Sequence, residues 1–126
     1  MERFQTTRLP YAVDAMAPDG SEVRILCSGS RGSMAHFSLP GGQVSQAVAH
    51  RSIEEVWYFL AGRGRFWRKA GMEQDIVEVS EGVSISIPPG THFQFRNDGE
   101  EALTAVGVSM PPWPGEDEAY AVEGVW

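Results

Sequence analysis

The chain has one cysteine, Cys27, and one lysine, Lys69. No apolar stretch approaches the ~18 residues of a membrane span. A single cysteine excludes an internal disulfide. Within Val23–Cys27 it reads as a small buried strand residue, since no neighbour that would lower a thiol pKa is visible. Positive charge is scarce: ten Lys plus Arg stand against seventeen Asp plus Glu, a formal net charge of -7. This balance argues against nucleic acid and against anionic membrane surfaces, both of which call for a cationic face. The N-terminus carries Glu2, Arg3 and Arg8 and lacks the apolar core of a signal peptide, so a cytoplasmic protein is expected.

Glycine and proline are plentiful, 14 and 8 in 126 residues, and few segments run ten residues without one. Short alternating or apolar runs lie between them, the pattern of an all-β sandwich or barrel. Strands are expected at Glu22–Cys27, Met34–Leu39, Gln46–His50, Glu55–Leu60 and Arg63–Lys69. Others follow at Gln74–Val79, Val83–Ile87, His92–Arg96 and Ala102–Met110. Val83, Ile85 and Ile87 alternate with Ser84 and Ser86, which puts the apolar set on one face. Val56–Leu60 does not alternate, and five large apolar residues in a row predict burial of both strand faces. One face belongs to the interior, so the other needs a cover from elsewhere in the chain or from a second subunit. Pro111–Gly115 cannot continue a central strand. The organisation expected is one domain over residues 1–126, with a barrel over about 22–110 and a tail over 111–126.

Two stretches resemble the paired motifs of the cupin superfamily. Gly41-Gly42 opens the first, His50 stands at its second His position, Glu55 at its Glu, and Gly62 at its closing Gly. In the second, Gly82, Pro88, Gly90 and Asn97 stand at the family spacing. The resemblance covers roughly Met34–Met110 and implies an all-β, cupin-type jelly-roll barrel of two antiparallel sheets. It also implies a site for a divalent metal (Zn, Fe, Mn or Ni) on three His and one Glu. Only His50 and Glu55 fill those positions here. Val48 stands at the first His position and Phe93 at the last. His92 is next to the latter, but strand neighbours point to opposite faces, so it faces inward only if a bulge shifts the register.

His50 is therefore open to three roles: metal ligand, general base or hydrogen-bonded barrel histidine. An inward Glu55 needs a metal, an arginine, His50 or a raised pKa. Arg63, Arg65 and Arg68 flank Phe66 and Trp67, as in an anion site with an aromatic floor or, by the preferred reading, a solvated hairpin. The expectation is a small-molecule-binding cupin whose pocket is lined by Trp57, Phe59, Phe93 and Phe95. His50 and Glu55 are its polar groups and catalytic candidates, with Asn97 at its edge. The alternative is a metal-dependent oxygenase, isomerase or lyase with a reduced ligand set of His50, Glu55 and His92, or His36 in place of His92. The expected partners are a small-molecule ligand and a second copy of the chain in a homodimer.

Overall fold

A computed structural model describes residues 3–126; Glu2, counted above among the N-terminal charges, lies outside them. The short runs form β1 (Ala15–Met16), β2 (Glu22–Ser28), β3 (Ser33–Leu39), β4 (Val48–His50) and β5 (Glu54–Ala61). These are followed by β6 (Arg63–Ala70), β7 (Glu73–Ser80), β8 (Ser84–Ile87), β9 (His92–Asn97), β10 (Leu103–Met110) and β11 (Ala119–Ala121). A single 3-10 turn, Glu116–Glu118, is the only helical element among the described residues. Among the described residues no helix is long and apolar enough to cross a membrane.

Strands β1-β2-β3-β10-β5-β8 make one sheet and β11-β4-β9-β6-β7 the other. Every pairing is antiparallel. The expected two-sheet jelly roll is therefore the observed fold. Its core fills the space between the sheets. Phe66 of β6 lies parallel to Phe93 and Phe95 of β9, with centroids 5.7 and 5.5 Å away. Trp57 of β5 stacks on Phe37 of β3 at 4.5 Å. That stack depends on Gly107 of β10, where an added Cβ would lie 2.8 Å from Trp57 Cδ1 and 2.9 Å from the Phe37 ring. Gly62, between β5 and β6, has a φ of 85°. A Cβ there would also meet the Ala102 carbonyl at 2.6 Å, so the motif's closing glycine is a steric requirement of this turn.

The two outer faces differ. The tail follows the edge of the five-stranded sheet, with β11 paired to β4. It then crosses that sheet's outer face, where the Val125 and Trp126 amides donate to Gln94 Oε1 at 2.9 and 3.1 Å. Among the described residues, the outer face of the six-stranded sheet has no such strap. Val56–Leu60 alternates after all: Trp57 and Phe59 are buried, whereas Val56, Tyr58 and Leu60 are 46%, 48% and 38% exposed. Burial on both faces, as the unbroken apolar run predicted, is not achieved by the described residues.

The hairpin arginines follow the solvated reading. Arg65 pairs with Asp98 and Arg68 with Asp75, each at 2.9 Å, while Phe66 turns into the core.

Candidate functional site at the mouth of the jelly roll

Glu55 enters the interior because β5 alternates, and its carboxyl lies at the end of the sandwich where β4, β5 and β10 meet. Ser109, its register partner on β10, donates to Oε2, and Trp57 Nε1 donates to Oε1 at 3.1 Å. His50, at the end of β4, puts Nδ1 3.9 Å from Glu55 Oε1, too far for a hydrogen bond. Nδ1 is buried and has no hydrogen-bond partner. The imidazole sits edge-on to Phe93 at 5.2 Å and to Trp113 of the tail at 5.4 Å.

Glu55 is 3% and His50 5% exposed. Burial pushes the Glu55 carboxyl up to about 7 even though the hydrogen bonds from Ser109 and Trp57 favour its ionised form; the charges of Asp19 and Glu118 push the same way. Burial pushes the His50 imidazole down to about 4, with the charge of Glu118 acting in the opposite direction. At neutral pH the two are therefore a neutral imidazole beside a carboxyl close to half-protonated, and not an ion pair. Chemically, that is a hydrogen-bond acceptor next to a group able to give or take a proton.

The tail covers this pair. Trp113 donates its amide to Ser33 Oγ at 2.9 Å. Glu118 accepts from the Arg51 amide at 2.8 Å, from the Ser52 amide at 2.9 Å and from the Ser52 hydroxyl. Burial alone would raise the Glu118 pKa, but these hydrogen bonds hold it below the usual carboxylate range. A further buried acid, Asp19, is raised by burial although it accepts from both the amide and the hydroxyl of Ser21.

Several expected site residues lie elsewhere. Trp57, Phe59, Phe93 and Phe95 face inward as predicted, but they pack on one another and on Phe66 at 0–2% exposure instead of lining an open cup. Surface depressions of about 560 Å³ beside Arg68 and Thr91, and about 310 Å³ beside Arg51 and Glu118, are lined by none of these rings. Asn97 is at the far end of β9 from the mouth. Its amide donates to the Leu39 and Glu101 carbonyls and its oxygen accepts from the Gly99 amide, so it braces a turn.

The reduced metal set is not assembled. His92 keeps the outward parity of β9, opposite Lys69. His36 is on the outer face of the six-stranded sheet, opposite Arg24 and Val106. Val48 and Phe93, at the family's other ligand positions, pair across β4 and β9 inside the core. No three His, Cys, Asp or Glu side chains among the described residues converge as metal ligands. The donors present, one imidazole and one carboxyl that are both driven towards neutrality, do not fit a divalent cation. Sequence reasoning missed Ser109, Trp113, Glu118 and Asp19. The roles of Ser109, Trp113 and Glu118 arise from contacts between distant segments, and the sequence marked Asp19 only as part of a turn and Glu118 only as part of an acidic run.

Fold and mouth together define a double-stranded jelly roll with the apolar Val48 and Phe93 at two of the four expected metal positions. The chain belongs to the cupin family, with residues 35–109 matching the Cupin domain. It is 33% identical over 104 residues to an uncharacterized protein of Methanocaldococcus jannaschii, covering 79% of this chain and 80% of that one. A double-stranded β-helix protein of Klebsiella pneumoniae superposes with a TM-score of 0.68 at 16% identity, over 86% of this chain and 89% of the other. Oxalate decarboxylase of Bacillus subtilis superposes with a TM-score of 0.72 at 16% identity, over 85% of this chain but only 29% of the enzyme. At such identities the structural likenesses establish the fold alone.

Proposed function

We propose that this cupin binds a small neutral or cationic molecule at the mouth, anchored by His50 and Glu55 in place of a metal. The observation that carries this reading is the unpartnered Nδ1 of a nearly buried imidazole beside the Glu55 carboxyl. A buried polar group left unsatisfied costs on the order of 1–3 kcal/mol, and a ligand donating to both groups removes that cost. The acids whose charge reaches Glu55 are Asp19 and Glu118. Arg51, the nearest arginine in sequence, is turned to the Asp117 carbonyl and the Tyr120 ring. The local potential therefore opposes anions. Trp113 and Phe93 offer aromatic surface to the rest of the ligand once the tail gives way.

A thermal-shift screen of the wild type, Glu55→Gln and His50→Phe checks this. Aromatic or apolar amines and alcohols should stabilise the wild type, with affinity lowered about tenfold or more in either variant, the loss of one hydrogen bond to a charged or polarised group. The reading is wrong if only dicarboxylates or sugar phosphates bind, or if both variants bind as the wild type does.

A further inference from the structure

His50 Nδ1 is not alone at the mouth. The Thr91 hydroxyl is also buried with no hydrogen-bond partner among the described residues. Thr91 immediately precedes β9, is 2% exposed and shares the inward parity of Phe93, two residues on. The backbone holds it beside His50. Val48 and Ala49 pair with Phe93 and His92, and the Gly90 amide donates to the His50 carbonyl at 2.9 Å. Two buried polar groups, each unsatisfied and not bonded to one another, thus stand side by side. A fold bears the cost of such groups where something from outside satisfies them.

Thr91 also lines the depression of about 560 Å³, between the β6–β7 turn and the turn that leads into β9. Arg68 fixes the lips of this depression. It donates to both Asp75 carboxylate oxygens and, at 2.9 Å, to the Ser86 carbonyl of β8, which ties the hairpin to the opposite sheet. Asp75 matches the charge of Arg68 within the wall, and Lys69 and Glu73 at the rim are of opposite sign. The lining therefore carries no net charge that would select an ion. Its apolar part is Ala70, Met72 and Pro88.

We infer that the mouth ligand is a neutral alcohol, with its hydroxyl joining Thr91 to His50 and its apolar body lying in the depression on Ala70, Met72 and Pro88. This rests on the reading of the mouth as a binding site anchored by His50 and Glu55. Hydrogen-bonding capacity selects the hydroxyl. It accepts from the Thr91 O–H and donates to Nδ1 of the neutral imidazole, so both groups are satisfied at once. An ammonium only donates, and leaves the Thr91 hydrogen without an acceptor. A carboxylate only accepts, and leaves Nδ1 as it was.

Calorimetric titration of the full chain with benzyl alcohol and with benzylamine tests this. Benzyl alcohol should bind the wild type about tenfold more tightly than benzylamine, the scale of one hydrogen bond. Thr91→Val should lower the affinity for benzyl alcohol about tenfold, and Thr91→Ser should retain it. Without ligand, Thr91→Val should melt no lower than the wild type, because the methyl that replaces the hydroxyl forfeits no hydrogen bond. Ala70→Trp, at an exposed position at the end of β6, should fill the depression and lower the affinity at least as much. If Ala70→Trp loses its β-type circular dichroism, Ser86→Trp, exposed on β8, makes the same test. The inference is overturned if benzyl alcohol does not bind at millimolar concentration, or if Thr91→Val binds it as the wild type does. A clear fall in the melting temperature of unliganded Thr91→Val overturns it too, since the hydroxyl would then have a partner in its own chain. Should His50→Phe and Glu55→Gln weaken benzylamine while Thr91→Val and Ala70→Trp leave benzyl alcohol unaffected, the mouth reading stands and this inference alone falls. Should all these variants bind both compounds as the wild type does, both fall.

Discussion

Phe66 and Glu55 are both almost completely buried, at 0% and 3% exposure, yet different physics keeps each of them there. Phe66 is surrounded by rings, parallel to Phe93 and Phe95 and edge-on to Trp57 and Phe59. Its burial is favourable in itself through area and dispersion. Glu55 is retained against its own solvation. Its partners Ser109 and Trp57 favour the ionised form, while burial pushes the pKa up, and the neighbouring His50 Nδ1 has no partner. One half of the interior would be chosen by stability alone. The other carries a desolvation cost that an apolar filling, such as Val48 and Phe93 provide in the core, does not. Where a fold keeps a cost that its own neighbours have shed, function is the natural explanation.

The sharpest way to break this comparison is to empty the aromatic half. Phe66→Ala should lose about 3–5 kcal/mol in urea unfolding, a transfer loss plus a cavity. A loss under about 1 kcal/mol would mean that the rings repack freely. The polar half should respond to pH instead. The Glu55 pKa is higher folded than unfolded, so its contribution is present at low pH and is lost as pH rises from about 4.5 to about 7. The His50 pKa is lower folded than unfolded, so its contribution grows as pH rises from about 4 to about 6.5. Each is on the order of 3 kcal/mol, and in the wild type the two act in opposite directions. Measured against the wild type at each pH, Glu55→Gln should therefore gain stability between pH 5 and pH 8. His50→Phe should lose its advantage between pH 4 and pH 6.5. Parallel profiles for wild type and variants would show that neither group is desolvated. The smallest effect is at the tail. Glu118→Ala removes the acceptor for the Arg51 and Ser52 amides and should cost about 1–2 kcal/mol. It should also speed amide exchange at Trp113 and along β11 while leaving β6 and β9 protected.

The aromatic half was readable in sequence and the polar half only partly so. The motif spacing pointed to Trp57, Phe59, Phe93 and Phe95 as inner residues and to His50 and Glu55 as polar groups beside them, and the structure buries all six. What parity does not tell is whether an inner face borders space or another ring. Phe66 decides that question, and its sequence surroundings of Arg65, Trp67 and Arg68 suggested a surface hairpin. The unbroken Val56–Leu60 run predicted burial on both faces, whereas Val56, Tyr58 and Leu60 are 46%, 48% and 38% exposed. Ser109, Trp113 and Glu118 came from segments 50 or more residues distant from their partners, and no local pattern encodes such meetings.

The hydrogen bond from Trp57 Nε1 to Glu55 has an optical consequence. Indole absorption and ellipticity respond to the charge of a group bonded to the ring nitrogen, and Trp57 is fixed against Phe37 with little freedom to average the signal. The near-ultraviolet spectrum of the native protein should thus titrate with the Glu55 carboxyl, which burial pushes up to about 7. Trp57 is then a built-in spectroscopic reporter of that one carboxyl, readable without a label, a ligand or an assay of activity.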